Sequence, residues 1–286
     1  VGVGDEGLRG EGTEAADVDF LVAWTDEESE AALASQVPHR ERGLPVSRPS
    51  VVQRMPRWYV QKLKQRPSPA QNRARLELWP QWGIDTPAYG TRVDLRTAFS
   101  EPGRPTVLDI GFGMGEALLE VAHRRPDWNF VAVEWHRAGI GTCLLEVERQ
   151  GLSNVRLVAG DAVKFLERHV VPCAAPLDEV WVWFPDPWPK CGDERLRLIR
   201  PEVARLLAAC LRRPGGVLHI ATDVQQYAEH VSAVMTSPDM LADGWRPLGD
   251  RADGVLSERP PWRPWTRYEK KGLEEGRKAW DLQFEL

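Results

Sequence analysis

Six short apolar runs dominate the later two-thirds of the chain: TVLDIG from Thr106, NFVAVEW from Asn129, VRLVAG from Val155, EVWVWF from Glu179, GVLHIAT from Gly216 and WDLQFEL from Trp280. Segments of helical length separate them. That alternation predicts βαβ units and a doubly wound α/β fold, its mostly parallel sheet covered on both faces. Ligands of such sheets bind beyond the carboxyl ends of the strands, so the residues following each run are the first to read for chemistry.

The chain before Thr106 behaves differently. Residues 1–50 carry Gly, Ala, Glu and Pro without sustained periodicity and read as an acidic, unstructured tail. Residues 51–90 read as a basic and aromatic arm containing Trp58, Tyr59, Trp79 and Trp82, in which SPAQNRARLELW begins like an N-capped helix. Residues 91–286 form the remaining unit, long enough for one α/β domain with a buried core.

Charge sharpens this division. The formal net charge is −5, yet residues 1–30 hold ten acids against Arg9 alone, and His39 to Arg75 hold ten basic residues against Glu41 alone. The basic strip is a candidate phosphate-binding surface, although charge by itself equally describes a solvated linker. Cys143, Cys173, Cys191 and Cys210 form no CxxC pair, which argues against a zinc site or a disulfide framework. The six histidines share no metal-ligand spacing, so no metal is expected. No apolar run is long enough to span a membrane and the first residues lack the regions of a secretory signal; a cytoplasmic protein is expected.

The first strand runs directly into DIGFGMGEALLEVA, where Gly111, Gly113 and Gly115 make a tight turn before a helix. Such a turn admits a ligand to the helix N-terminus. The dinucleotide fingerprint would need glycine at Glu116, whose charge would repel a pyrophosphate, so a nicotinamide oxidoreductase is disfavoured. S-adenosylmethionine fits better, because it has no phosphate and offers a sulfonium and an ammonium to Asp109. Glu134 closes the second strand nineteen residues after Gly115, the distance at which a carboxylate accepts from ribose hydroxyls. Asp161, after the third strand, can accept from the adenine amino group or cap the next helix.

The fourth run ends in FPDPWPK. Here the motifs DIGFGMGE, VAVEWHRAGIG, LSNVRLVAGDAV, WFPDPWPK, RLIRPE, HIATDVQQYAEH and RPWTRYEKKGLEEGRKAWDLQFE resemble, in order, those of the bacterial tRNA (guanine-N7)-methyltransferases. The resemblance spans roughly Arg54 to Leu286, and its most specific pieces are FPDPW and TRYE with WDLQF. It implies a seven-stranded, Rossmann-like class I methyltransferase, transferring a methyl group from S-adenosylmethionine to a variable-loop guanine of tRNA. It further implies cofactor contacts at Asp109, Gly111, Gly113, Glu134, Asp161 and Asp186, with Asp186 also catalytic. Substrate contacts are implied at Lys190, Asp223, Thr266, Arg267, Tyr268 and Glu269. A monomer or homodimer without an obligate protein partner is expected.

The chemistry suits these residues independently. Guanine N7 has an in-plane lone pair and no proton to lose, so placement is the main task. Asp186 can stabilise positive charge arriving on the purine, or accept from the guanine N1 and N2 hydrogens; the sequence does not separate the two. Trp188 offers a stacking face or core packing, Asp223 a substrate contact or a helix cap, and Glu269 a guanine acceptor or a surface acid. His219, alternating with apolar residues, reads as a core or edge histidine.

Where the family carries a basic run after Lys190, this chain reads CGDERLR, and Asp193 and Glu194 should weaken RNA binding unless the basic arm compensates. Two other readings are an amino-methyltransferase, whose proline-rich elbow FPDPW matches one residue short, and a non-catalytic RNA-binding subunit, disfavoured by the intact set of cofactor-facing acids.

Overall fold

The computed structural model describes residues 66–86, 93–170, 177–190 and 192–286. The acidic tail, and residues 51–65 and 87–90 of the arm, lie outside the described residues.

The helix expected at SPAQNRARLELW forms as α1 (Pro69–Glu77). Ser68 caps it reciprocally: Gln71 N donates to Ser68 Oγ at 3.2 Å and Ser68 N donates to Gln71 Oε1 at 2.7 Å. Proline at the first helical position costs no hydrogen bond there. A short α2 (Trp79–Trp82) follows, then β1 (Thr106–Ile110), α3 (Glu116–Arg124), β2 (Asn129–Glu134), α4 (Arg137–Gln150), β3 (Val155–Ala159), α5 (Ala162–Phe165) and β4 (Glu179–Trp183). The chain continues through α6 (Pro201–Cys210), β5 (Val217–Thr222), α7 (Gln225–Met235), α8 (Pro238–Ala242), β6 (Arg246–Pro247), α9 (Arg267–Glu274) and β7 (Trp280–Glu285).

The seven strands make one sheet in the order β3-β2-β1-β4-β5-β7-β6. Pairing is parallel from β3 through β5, and β7 runs antiparallel to both neighbours. The sequence pattern missed β6, because two residues, Arg246 and Pro247, are too few to show a period. Side chains alternate between two cores: Leu108 and Ile110 of β1 pack toward α6 and α7, whereas Val107 packs with residues of α3 and α4. Burial on both faces explains why these strands read as continuous apolar runs.

The arm helix α1 lies on α4, where Gln71 Nε2 donates to Thr142 Oγ1 at 2.9 Å. Gly141 permits this approach, since a Cβ there would stand 2.7 Å from the Gln71 carbonyl oxygen. Because β1 has β2 on one side and β4 on the other, the strand order reverses beside it, and a crevice opens at the carboxyl ends of β1 and β4.

Candidate active site

A cleft of about 830 Å³ occupies that crevice. Its walls bring together Asp109, Gly111, Gly113, Glu134, Asp161 and Asp186 from four chain segments, and Thr266, Arg267 and Tyr268 from a fifth.

The glycine turn has a positive φ at Gly111 (83°) and Gly113 (63°), so an L side chain would be strained at either position. No heavy atom lies within 4 Å of where their Cβ atoms would be, so backbone conformation, not crowding, calls for glycine. Glu134 ties this turn to the end of β2: its Oε2 accepts from Gly113 N at 2.9 Å, and its Oε1 from Trp135 N at 2.7 Å and His136 N at 2.9 Å. Asp161 caps α5 by accepting from Lys164 N at 3.0 Å, and it also faces the cleft. The capping alternative for Asp161 is therefore realised without removing it from the site.

Asp109 is buried within β1. Burial raises its pKa to about 8, and the nearby Glu134 carboxylate pushes in the same direction. A neutral carboxyl beneath an open turn becomes a strong ligand when a cation arrives to favour its ionised form.

At the end of β4 the elbow is strained on both sides of Asp186. Phe184 has φ +53° and Trp188 φ +43°, a region bulky side chains avoid. Pro185 and Pro187, alternating with them, restrict φ further. Phe184 N donates to Ala221 O of β5 at 2.7 Å. On the far side, buried Arg197 donates from Nε to Pro187 O at 3.1 Å and from Nη2 to Trp188 O at 3.3 Å. Sequence reasoning gave Arg197 no role, although it is the first residue of the RLIRPE motif and stands between Leu196 and Leu198. Trp188 lines the cleft instead of packing in the core.

The opposite lip is the N-terminus of α9. Thr266 caps it, its Oγ1 accepting from Glu269 N at 3.1 Å. Tyr268 is 55% exposed and lies under the Arg267 guanidinium, 5.7 Å from its ring centroid.

Glu269 turns the other way. It is buried, and its two oxygens accept from Arg263 Nη1 at 2.7 Å and Nη2 at 2.8 Å. The same guanidinium gives Nε and Nη2 to Asp281 at 2.6 and 2.9 Å. Asp281 Oδ1 also lies 3.0 Å from His219 Nε2, and Trp183 Nε1 donates to His219 Nδ1 at 3.1 Å. Because Nδ1 accepts, the proton of a neutral ring sits on Nε2 and donates to Asp281. Burial lowers the His219 pKa, consistent with that neutral form. For Asp281, burial raises the pKa, but the bonds from His219 and Arg263 outweigh it and the net shift is downward.

The remaining substrate candidates lie outside the cleft wall. Asp223 accepts from Arg277 Nε at 2.7 Å and packs against Gly272, where a Cβ would come within 2.8 Å of Asp223 Oδ2. Lys190 is exposed and does not line the cleft. Of the two acids after Lys190, Glu194 is held by its own loop, accepting from Gly192 N at 2.8 Å. Among the described residues, no helix is long and apolar enough to cross a membrane, and no cluster of His, Cys, Asp and Glu could hold a metal ion.

This fold and cleft fit a methyltransferase, and a family model described as "Putative methyltransferase" matches residues 103–282. A tRNA (guanine-N(7)-)-methyltransferase from Leifsonia xyli subsp. xyli is 39% identical over 229 residues, covering 80% of this chain and 95% of the relative. The enzymes of the same name from Halorhodospira halophila and Xanthomonas campestris pv. campestris are 43% and 41% identical, covering 76% of this chain and 89% and 79% of theirs. The chain belongs to the tRNA (guanine-N7)-methyltransferase family.

Proposed function

We propose that this protein transfers the methyl group of S-adenosylmethionine to N7 of a variable-loop guanine in tRNA. The observation that carries this reading is the convergence, on one cleft, of Asp109, Glu134 and Asp161, the Asp186 elbow and the α9 lip. The protein acts as a cytoplasmic enzyme without an obligate protein partner.

The residues present fit the cofactor. The open glycine turn leaves room against the backbone, and carboxylates complement a ligand whose charged groups include two cations and whose ribose carries two hydroxyls. Asp109 faces the cationic portion, Glu134 the ribose and Asp161 the adenine end. Glu134 retains acceptor capacity beyond its three backbone bonds, since an ionised carboxylate offers about four lone-pair sites. When bound, the cofactor supplies an electrophilic methyl on a sulfonium.

On the substrate side, Asp186 holds the guanine edge and faces the positive charge that arrives on the purine. Trp188 supplies a stacking face, worth about 1–3 kcal/mol at comparable base platforms. Thr266, Arg267 and Tyr268 contact the nucleotide from the opposite lip, with Lys190 contributing at the periphery. Glu269 acts through Arg263 as a positioning residue, and Asp223, paired with Arg277, braces the same segment.

The test is transfer of labelled methyl from S-adenosylmethionine to unmodified tRNA, followed by nucleoside analysis. Label in 7-methylguanosine supports the reading; label on an exocyclic amine, or none despite cofactor binding, defeats it.

The buried acid gives a second expected result. In the ligand-free protein Asp109 keeps its proton up to about pH 8, whereas an unfolded aspartate loses it near pH 4. The folded state then binds more protons across that window, so this group makes stability fall as pH rises from about 4 to 8. Binding a cation should ionise Asp109 and release close to one proton at pH 6.5. Cofactor affinity should rise nearly tenfold per pH unit between about pH 6 and 7.5. Calorimetry in buffers of different ionisation enthalpy measures this, and D109N should abolish the release. Cofactor binding without proton release would show that Asp109 does not meet the cation.

A further inference from the structure

Beside the α9 lip, just outside the cleft wall, Trp265 is 47% exposed. It is not a loose surface side chain. The Arg259 guanidinium lies over its ring at 4.1 Å, and that guanidinium is itself rooted. Arg259 Nη1 donates to the Arg263 carbonyl oxygen, and Arg259 Nε stands 4.0 Å from Glu269 Oε1. Behind them, Trp262 packs against Trp181 and Trp183 with ring centroids 5.5 and 6.1 Å away. The exposed indole thus carries a stacked cation that is itself tied to Arg263 and Glu269 of the buried ion-pair cluster.

We propose that Trp265 and Arg259 form a subsite that stacks an unpaired nucleobase of the tRNA next to the guanine entering the cleft. The inference rests on tRNA being the substrate. Trp265 does not line the cleft, whereas the next three residues do, so it meets a neighbouring nucleotide and not the reacting base. An indole face is apolar and flat, suiting any base. The guanidinium beside it adds attraction for the nucleotide phosphate, and Arg267 over Tyr268 repeats the pairing three residues further on. Aromatic side chains backed by arginine match single-stranded nucleic acid better than an apolar protein surface, because both parts of the pair find complements on each nucleotide. In free solution both exposed rings carry a cost that bound bases would remove. The device also offers compensation for Asp193 and Glu194, acids placed where the family has cations, because stacking is insensitive to their charge.

The experiment compares W265A, W265L and W265F with the wild-type chain in tRNA binding and in methyl transfer at limiting and saturating tRNA. Cofactor affinity and melting temperature are measured alongside. W265A and W265L should raise KM for tRNA by about 5- to 150-fold while kcat and cofactor affinity stay within about twofold, and W265F should recover most of the loss. Leucine preserves apolar burial without a flat ring, so it separates stacking from packing if alanine perturbs folding. Unchanged tRNA affinity in W265L would overturn the subsite, including the case in which Trp265 meets a protein. So would equal losses in W265L and W265F, or a tRNA defect that follows losses of melting temperature and cofactor affinity. The wild-type transfer assay separately tests whether tRNA is the substrate.

Discussion

D186N should lower kcat for methyl transfer to tRNA by about 10²- to 10³-fold, the range seen when one preorganised electrostatic group is removed from a reacting centre. Asparagine keeps the size of the side chain and one acceptor oxygen, so the strained backbone between Phe184 and Trp188 has no reason to relax. What it removes is the negative charge. If Asp186 acts mainly by facing the charge that arrives on guanine, D186N and D186A should be equally impaired in kcat, with tRNA KM changed only a few-fold. If it acts mainly as a hydrogen-bond acceptor for the guanine edge, D186N should retain appreciable activity and D186A should lose selectivity for guanine. Single-turnover rates with saturating cofactor measure both. A D186A variant at more than about a tenth of the wild-type rate would remove Asp186 from the catalytic role.

The elbow also shows why sequence carried one part of the site and not the other. Asp109 and Glu134 sit in the last two positions of β1 and β2, Asp161 and Asp186 follow β3 and β4, and topology alone sends the ends of parallel strands to one sheet edge. Their convergence was therefore legible before any side chain was placed. The direction in which Glu269 points was not. Thr266 and Glu269 stand in a capping relation that orients α9, but which face then meets the cleft depends on Arg263, which lies outside any strand and reaches Asp281 of β7 only through side-chain hydrogen bonds. Nothing local marks that arginine as buried, yet among the described residues it is one of the least exposed charged side chains. Arg197 escaped for a similar reason, since its partners are backbone carbonyls, which leave no trace in sequence. His219, by contrast, alternates with apolar neighbours and was legible as a core residue, though its role between Trp183 and Asp281 was not.

The Arg263 cluster leads to the other large expected effect. R263M should reduce the free energy of unfolding by about 3–5 kcal/mol, because it leaves Glu269 and Asp281 buried without their shared cation. Lysine in the same place keeps the charge but cannot present two forks to two carboxylates, so R263K should fall between. A buried ion-pair cluster is weak evidence for stability as such, since apolar residues of similar volume often serve as well. The triple variant R263M/E269L/D281L tests what the charges do beyond stability. It should regain part of the lost unfolding free energy, less what His219 forfeits when its Nε2 loses Asp281. Its tRNA kcat/KM should nevertheless remain low while cofactor affinity is close to wild type, because the α9 lip and the end of β4 are no longer joined through Glu269, Arg263, Asp281, His219 and Trp183. Urea denaturation followed by fluorescence, paired with tRNA kinetics on the same preparations, measures both quantities. R263M within about 1 kcal/mol of wild type would mean that the two carboxylates find other partners or take up protons. A triple variant with normal tRNA kinetics would leave the cluster a packing solution and deny it any part in placing the lip against the elbow.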